Sequence, residues 1–271
     1  MEVLTSYLLL LLFGCLTGVT TVFFGFGGGF VTVPVVYGLW SVTARSGADA
    51  MHVAVATSTA VMVVNSLLAT LAQWRQGRLR REYIWPMAAF VLVGAVAGSF
   101  AATRIGDAAL RVLFAAYLLA TITDSLLRKG FLSVPQAREP RPLSRPARTL
   151  GGVGIGSVAA CLGVGGSVMT VPLLRRRGLP MAQATAMANP LSVPVAVVGT
   201  AVYALAAPTL HARAGVLGYI DLPACAALLG GSLPTIALAR RATARVPDRA
   251  HSVAYVALLV TVLLVLLVMG I

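Results

Sequence analysis

Two glycine clusters are where chemistry is to be sought in this chain. Gly25-Phe26-Gly27-Gly28-Gly29 and Gly163-Val164-Gly165-Gly166-Ser167 each interrupt a long apolar stretch. Glycine costs a helix interior about 1 kcal/mol relative to alanine, so clusters this dense read as breaks. A break frees the backbone N–H groups of the next turn from their i−4 partners and sets them at the positive end of a half-helix. Two such ends facing one another at mid-membrane would form an anion site without any buried Lys or Arg. The plainer reading is that the glycines only let helices pack closely, as GxxxG pairs do. A dinucleotide-binding loop does not fit. No strand–helix–strand unit surrounds either cluster, and no acidic residue follows at the required distance.

Polar residues follow each cluster. His52-Val53-Ala54-Val55-Ala56-Thr57-Ser58-Thr59 lies in the first half, and Ala184-Thr185-Ala186-Met187-Ala188-Asn189-Pro190-Leu191-Ser192 in the second. Thr57, Ser58 and Asn189 carry groups that can donate to an oxyanion, or else tie helices together at ~0.6 kcal/mol each. Pro190 lacks a backbone donor and frees the carbonyl one turn back. With Gly25, Gly27, Gly28, Gly29, Gly163, Gly165, Gly166 and Ser167, they make up the candidate substrate-binding set.

Ionisable groups at membrane depth are functional candidates by default. They point to His52 and Asp221 for coupling to a proton or sodium gradient. Asp221 precedes Leu222-Pro223, which equally makes it a helix N-cap with proline near N1. Asp124 stands four residues before Arg128, an i,i+4 pair. Trp40, Trp74 and Trp85 fall near stretch ends, where interfacial aromatics belong. There is no GxSxG and no HExxH, and His52, His211 and His251 have no acidic or nucleophilic partner in sequence, so nothing argues for an enzyme. Cys15, Cys161 and Cys225 are scattered without CxxC or Cys/His spacing, so neither metal nor cofactor is expected.

The elements that must carry these residues follow from composition. Of 271 residues 58% are hydrophobic and only 11% charged, and mean hydropathy is +0.90. A soluble domain carries roughly 25% charged residues, and disordered chains are more polar still. An integral membrane protein remains. The net charge of +13 does not point to nucleic acid. The basic residues, all arginine except Lys129, sit in short loops between apolar segments without a basic stripe and interleaved aromatics. A signal peptide is not expected, since no basic residue precedes the first apolar run.

A spanning helix needs ~20 apolar residues. Eight long apolar stretches occur, at about 6–40, 52–73, 84–103, 108–127, 150–174, 182–207, 216–239 and 250–270. Residues 1–127 and 150–271 form two transmembrane repeats, joined by the Pro- and Arg-rich linker 128–149. Shifted by 138 positions, Gly25, Gly27, Gly28, Thr32, Val33 and Pro34 fall on Gly163, Gly165, Gly166, Thr170, Val171 and Pro172. Arg104-x-x-Asp107 answers Arg245-x-x-Asp248. Internal symmetry of this kind marks secondary transporters.

Loops 75–82, 128–149, 175–177 and 240–249 are basic and therefore cytoplasmic. Stretch 150–174 must then return to the side it left, through its glycine break. By the same rule 6–40 turns back, the N-terminus lies outside, and equivalent loops of the halves fall on opposite sides. The expected fold is an all-α polytopic membrane protein of two inverted-topology repeats. Each is a Gly-broken hairpin, re-entrant or of two half-helices, plus three transmembrane helices.

The order G-x-x-x-G, G-x-G-G-G, V-P and A-V-A-T-S, with its echo in the second half, resembles the TauE/SafE family of membrane permeases. The residues are Gly14 and Gly18, Gly25 to Gly29, Val33-Pro34, Ala54 to Ser58, then Gly163 to Gly166 and Val171-Pro172. The resemblance runs from about residue 6 to 268. It implies an inner-membrane transporter of a bacterial cell, exporting sulfite or an organosulfonate such as sulfoacetate. The partners expected are a small anion and the lipid bilayer, with a proton or sodium gradient and a homo-oligomer both open. Uptake of sulfate or another small anion, and a non-transporting membrane assembly subunit, are the competing readings. Two departures from a strict repeat alter the donors at the presumed site. Ser167 stands where the first copy has Gly29, and Asn189-Pro190 roughly where it has Thr57-Ser58.

Overall fold

Glycine geometry divides the two longest apolar stretches. Helix α1 (Glu2–Phe24) ends where Gly25, Gly27 and Gly28 take φ of 73°, 62° and 88°, and α2 (Gly29–Thr43) follows. In the second half, α8 (Leu150–Leu162) ends where Gly163 and Gly165 take 66° and 68°, and α9 (Ser167–Arg175) follows. Such left-handed backbone costs an L side chain roughly 1–2 kcal/mol, a cost glycine escapes. Pro34 and Pro172 are each the sixth residue of the second helix. A proline there leaves the carbonyl four residues back without its helical donor. For Pro172 that carbonyl, Val168 O, accepts from the Tyr255 hydroxyl at 3.1 Å.

The computed structural model of the chain describes residues 2–43, 49–127, 131, 142–206, 215–239 and 246–268. Between the broken hairpins run α3 (Ala50–Arg75), α4 (Arg81–Ile84), α5 (Met87–Ala102), α6 (Asp107–Leu127) and the single turn α7 (Arg145–Arg148). After α9 come α10 (Met181–Leu205), a two-stranded antiparallel hairpin β1 (Val216–Leu217) and β2 (Ile220–Asp221), α11 (Leu222–Ala239) and α12 (Asp248–Val268). Seven helical segments among the described residues are long and apolar enough to cross a membrane. Most of linker 128–149, and residues 240–245 of the basic loop 240–249, lie outside the described residues.

The sequence pattern extends one apolar stretch from 216, but α11 begins only at Leu222. Gly218, at φ 61°, lies so close to the carbonyls of Tyr203 and Ala204 that no side chain fits, and the chain turns there.

Small residues let the outer helices touch at the backbone. Gly14 and Gly18 of α1 pack on Leu228, Gly231 and Ser232 of α11, and Gly152 and Gly156 of α8 on Met87, Phe90 and Val91 of α5. In both pairs contacts advance along the two helices together, so the helices run parallel. The start of α1 thus lies beside the start of α11, where Trp40 near the end of α2 donates to Asp221 at 2.8 Å. The start of α8 lies beside that of α5, and Arg177, just past α9, reaches Ser144 just before α7. Each broken hairpin therefore turns back on itself.

Helices α3 and α10 form the centre and run antiparallel. Met187 near the start of α10 meets Arg80 just beyond the end of α3, and the hairpin after α10 meets His52 at the start of α3. Of the α3 span 67% is buried, against 28–44% for the other spanning segments. Leucines such as Leu12, Leu67, Leu119 and Leu267 point outward, and the bilayer covers such a surface.

Neither central helix is capped by its own N-cap side chain. A carboxylate from elsewhere serves instead. Asp107, first residue of α6, accepts from the Met51 amide at 2.6 Å, and Asp248, first residue of α12, accepts from the Met181 amide at 2.6 Å.

Candidate functional site

The two glycine breaks meet. A Cβ added at Gly29 would lie 2.6 Å from Gly163 O, and one at Gly165 would lie 3.3 Å from Phe26 O. Ser58 on α3 bridges them, its hydroxyl 2.6 Å from Gly163 O and 3.0 Å from Gly29 O. Met62, one turn on, lies against both Gly27 and Gly165.

The contacts are reciprocal. Gly25 seats on α10, where a Cβ would meet Thr185 O at 2.5 Å, and Gly163 seats on α3, where it would meet Val55 O at 2.8 Å. Thr185 and Val55 each stand four residues past the methionine whose amide takes the capping aspartate. Each break therefore sits at the same register of the other half's central helix.

Open donors gather around this crossing. The amides of Thr32 and Thr170 reach back to Gly28 O and Gly166 O, at 3.2 and 2.9 Å. Among the described residues, the amides of Phe30, Val31, Val168 and Met169 in the same first turns have no backbone acceptor. Around them Asn65, Ser66, Ser167, Asn189 and Ser192 are fully buried. Asn65 Oδ1 accepts from Ser232 at 2.8 Å, which fixes the amide and turns Nδ2 toward Gly28, where a Cβ would lie 2.8 Å away. Ser66 stands against Gly27. Asn65 Nδ2, Ser66 Oγ, Ser167 Oγ and Asn189 Oδ1 have no hydrogen-bond partner among the described residues. Leaving a buried polar group unpaired costs about 1–3 kcal/mol, so four in one place require an explanation. All are hydroxyls and amides. The group carries three open donors, one amide oxygen that only accepts, and no charge.

The chain matches, over residues 10–267, the family described as Sulfite exporter TauE/SafE. It belongs to the TauE/SafE family. A protein of Haemophilus influenzae described as a probable membrane transporter protein is 27% identical over 248 residues, covering 90% of this chain and 91% of that protein. No solved structure matches the chain.

The glycines that carry the TauE/SafE resemblance sort into two kinds. Gly14, Gly18, Gly152 and Gly156 pack helices, whereas Gly25, Gly27, Gly28, Gly163 and Gly165 take left-handed backbone at the breaks. Gly29 and Gly166 are at the crossing with ordinary backbone, as is Ser167, and Asn189 lies beside it, donating to Thr21 O at 3.4 Å.

Thr57 is not brought to the crossing. Its hydroxyl accepts from the Asp221 amide at 3.0 Å, beneath the β-hairpin. Asp221 in turn uses both oxygens, one for Trp40 Nε1 and one for the Ala224 amide at 2.9 Å, which is the N-cap role. Trp40 is accordingly buried, unlike the exposed Trp74 and Trp85 at the stretch ends. Asp124 pairs with Arg176 of the next half.

His52 does have a partner, one distant in sequence. Its Nε2 is 3.1 Å from Ala102 O, its Nδ1 is 3.5 Å from Asp107 Oδ1, and its ring stacks on Tyr219. At the opposite end of the bundle, Arg175 occupies the matching place beside Asp248, bonding that carboxylate at 2.8 Å along with Phe131 O and Ser252. The motif reading passes over Asn65 and Ser66. Their signal was available as an Asn-Ser pair inside an otherwise apolar span.

Proposed function

We propose that this chain is a secondary transporter that exports a small anion, sulfite or an organosulfonate, through a site between the two glycine breaks. Membrane transport itself rests on the family and on the relative from Haemophilus influenzae. The site rests on one observation, the convergence of open polar atoms of α3, α9 and α10, three of them donors, around the two breaks in a buried, uncharged group bridged by Ser58. Half-helix N-termini offer partial positive charge without a cation to desolvate. An oxyanion would accept from Asn65 Nδ2 and from the Ser66 and Ser167 hydroxyls, whereas Asn189 Oδ1 can only accept.

In this reading Gly25, Gly27, Gly28, Gly29, Gly163, Gly165 and Gly166 let the backbone approach the anion. Ser58, Ser167, Asn189, Asn65 and Ser66 supply side-chain contacts. The halves are inverted-topology repeats, with the arginine-rich loops cytoplasmic, the N-terminus outside and the protein in the inner membrane. Alternating access then means gating around a fixed site. His52, facing Asp107, is the candidate for proton coupling.

The test is counterflow of radiolabelled sulfite, sulfoacetate and sulfate in liposomes, with and without a pH gradient. Saturable sulfite or sulfoacetate flux is expected. Sulfate flux alone would replace export by the uptake reading. Absence of flux from folded, inserted protein would favour a non-transporting subunit.

A further inference from the structure

Unpaired polar atoms continue along α3 beyond the crossing. Besides Asn65 and Ser66, Thr70 Oγ1 and Gln73 Oε1 are buried without a hydrogen-bond partner among the described residues. At 100° per residue these four positions share one face of the helix, while Leu67, Leu68 and Leu71 face outward on the other. The line starts at Gly27 and Gly28, and ends in a water-sized cavity of about 20 Å³ lined by Val22, Ala69, Gln73, Gln76, Arg78 and Ile236. Arg75, Arg78, Arg80 and Arg81 stand at that end of α3, so it opens toward the basic side of the membrane.

Among the described residues, the matching stretch of α10 has no such line. Counted from the capped methionines, the matching positions on α10 are Val195, Ala196, Thr200 and Tyr203. Thr200 spends its hydroxyl on Ala196 O at 2.7 Å, and Tyr203 closes onto Ala160 O at 2.9 Å. Two of the four are apolar and the other two are satisfied. The polarity is therefore one-sided, although the backbone contacts of the halves are reciprocal.

Resting on the anion-site reading above, we propose that the Asn65–Ser66–Thr70–Gln73 face of α3 is the path by which the anion passes between the arginine-rich side and the glycine crossing. The open donors and acceptors carry hydration water until an anion replaces it. A line of unmet polar groups has no packing use. As interhelical ties they would be paired, and as lipid-facing positions they would be apolar. The matching positions of α10 are apolar or already hydrogen-bonded and offer the anion no equivalent route.

The test uses Thr70→Cys, Gln73→Cys, the lipid-facing Leu71→Cys and the opposite-half Thr200→Cys, in inside-out vesicles with a membrane-impermeant anionic methanethiosulfonate. A thiol reacts as its hydrated thiolate, so Thr70→Cys and Gln73→Cys should be modified about tenfold or more faster than the other two. Sulfoacetate or sulfate, neither of which consumes the reagent as sulfite would, should slow them. Equal rates at all four positions would overturn the path. Fast labelling insensitive to sulfoacetate and sulfate would overturn its role for the anion. Labelling and liposome flux fail separately. Flux without labelling leaves the transporter and removes the path, whereas sulfoacetate-protected labelling without flux leaves a binding path and removes the exporter.

Discussion

Asn65 separates a binding role from a packing role at the scale of one side chain. Its Oδ1 ties Ser232, while its Nδ2 is unspent and turned to Gly28. Asn65→Leu removes a membrane hydrogen bond of ~0.6 kcal/mol and a charge-assisted donor to the anion of about 1.5–3 kcal/mol. Transport efficiency should fall about 10- to 100-fold while the melting temperature barely moves. Flux and thermal unfolding of one preparation check both, and unchanged flux would remove Asn65 from the site. Gly28 and Gly166 make a second comparison, because the repeat aligns them but the backbone does not. Gly28 has φ 88° with Asn65 Nδ2 in the way, whereas Gly166 has φ −73° and an added methyl would be tight only against Ile155 Cγ2, at 3.0 Å, with Thr170 Oγ1 and Leu191 O at ordinary contact distance. Gly28→Ala should destabilise by about 2 kcal/mol, from left-handed strain and crowding together. Gly166→Ala should stay within about 1 kcal/mol. Equal melting temperatures would mean that the two breaks share one conformation after all.

The central helices depend on carboxylates borrowed from other elements. Asp107 and Asp248 cap α3 and α10 alike, but Asp248 also neutralises Arg175, whose side chain is fully buried. Losing a capping carboxylate costs about 1 kcal/mol. Stranding a buried cation costs about 3–5 kcal/mol, lessened here because Asp248 is 38% exposed and Phe131 O and Ser252 still accept from the guanidinium. Asp248→Asn should therefore lower the detergent melting temperature clearly more than Asp107→Asn, and the reverse order would remove the ion pair as the reason. Much of this architecture was legible in the residues. Glycine density predicted both breaks, and the 138-residue offset paired Gly25 with Gly163 and Gly27 with Gly165, which share left-handed backbone. Arg104-x-x-Asp107 and Arg245-x-x-Asp248 marked the two caps as a repeated element, though not what they cap. The direction of a helix face was not legible. Thr57 and Ser58 are neighbours, yet one serves the β-hairpin and the other the crossing, because successive residues point 100° apart. Asn65 and Ser66 can be noticed as a polar pair in an apolar span, but that they lack partners is a property of the packed state.

At the scale of the whole molecule, the two halves are joined along backbone contacts too close for any side chain, α1 against α11 and α5 against α8. Both pairs take one helix from each half, so the halves cannot separate along the sequence boundary without opening these seams. Motion for transport is then expected in the broken hairpins and the central helices, with the glycine-packed pairs as the frame. The frame can be tested with two adjacent residues of one type. Gly231 lies against Leu11 O and the Gly14 backbone, whereas nothing stands within 4 Å of where a Cβ on Gly230 would project. Overpacking a core costs about 1–3 kcal/mol when side chains can yield, and here the obstacle is backbone. Gly231→Leu should push α1 off α11 and leave little monodisperse protein after detergent extraction. Gly230→Leu loses only helical glycine and adds an apolar side chain where lipid can cover it, so yield, melting temperature and sulfite flux should match the parent. If both variants behaved like the parent, α1 and α11 would not be in backbone contact, and the seam could open during transport. If both failed, glycine at this point would serve helix flexibility rather than close approach.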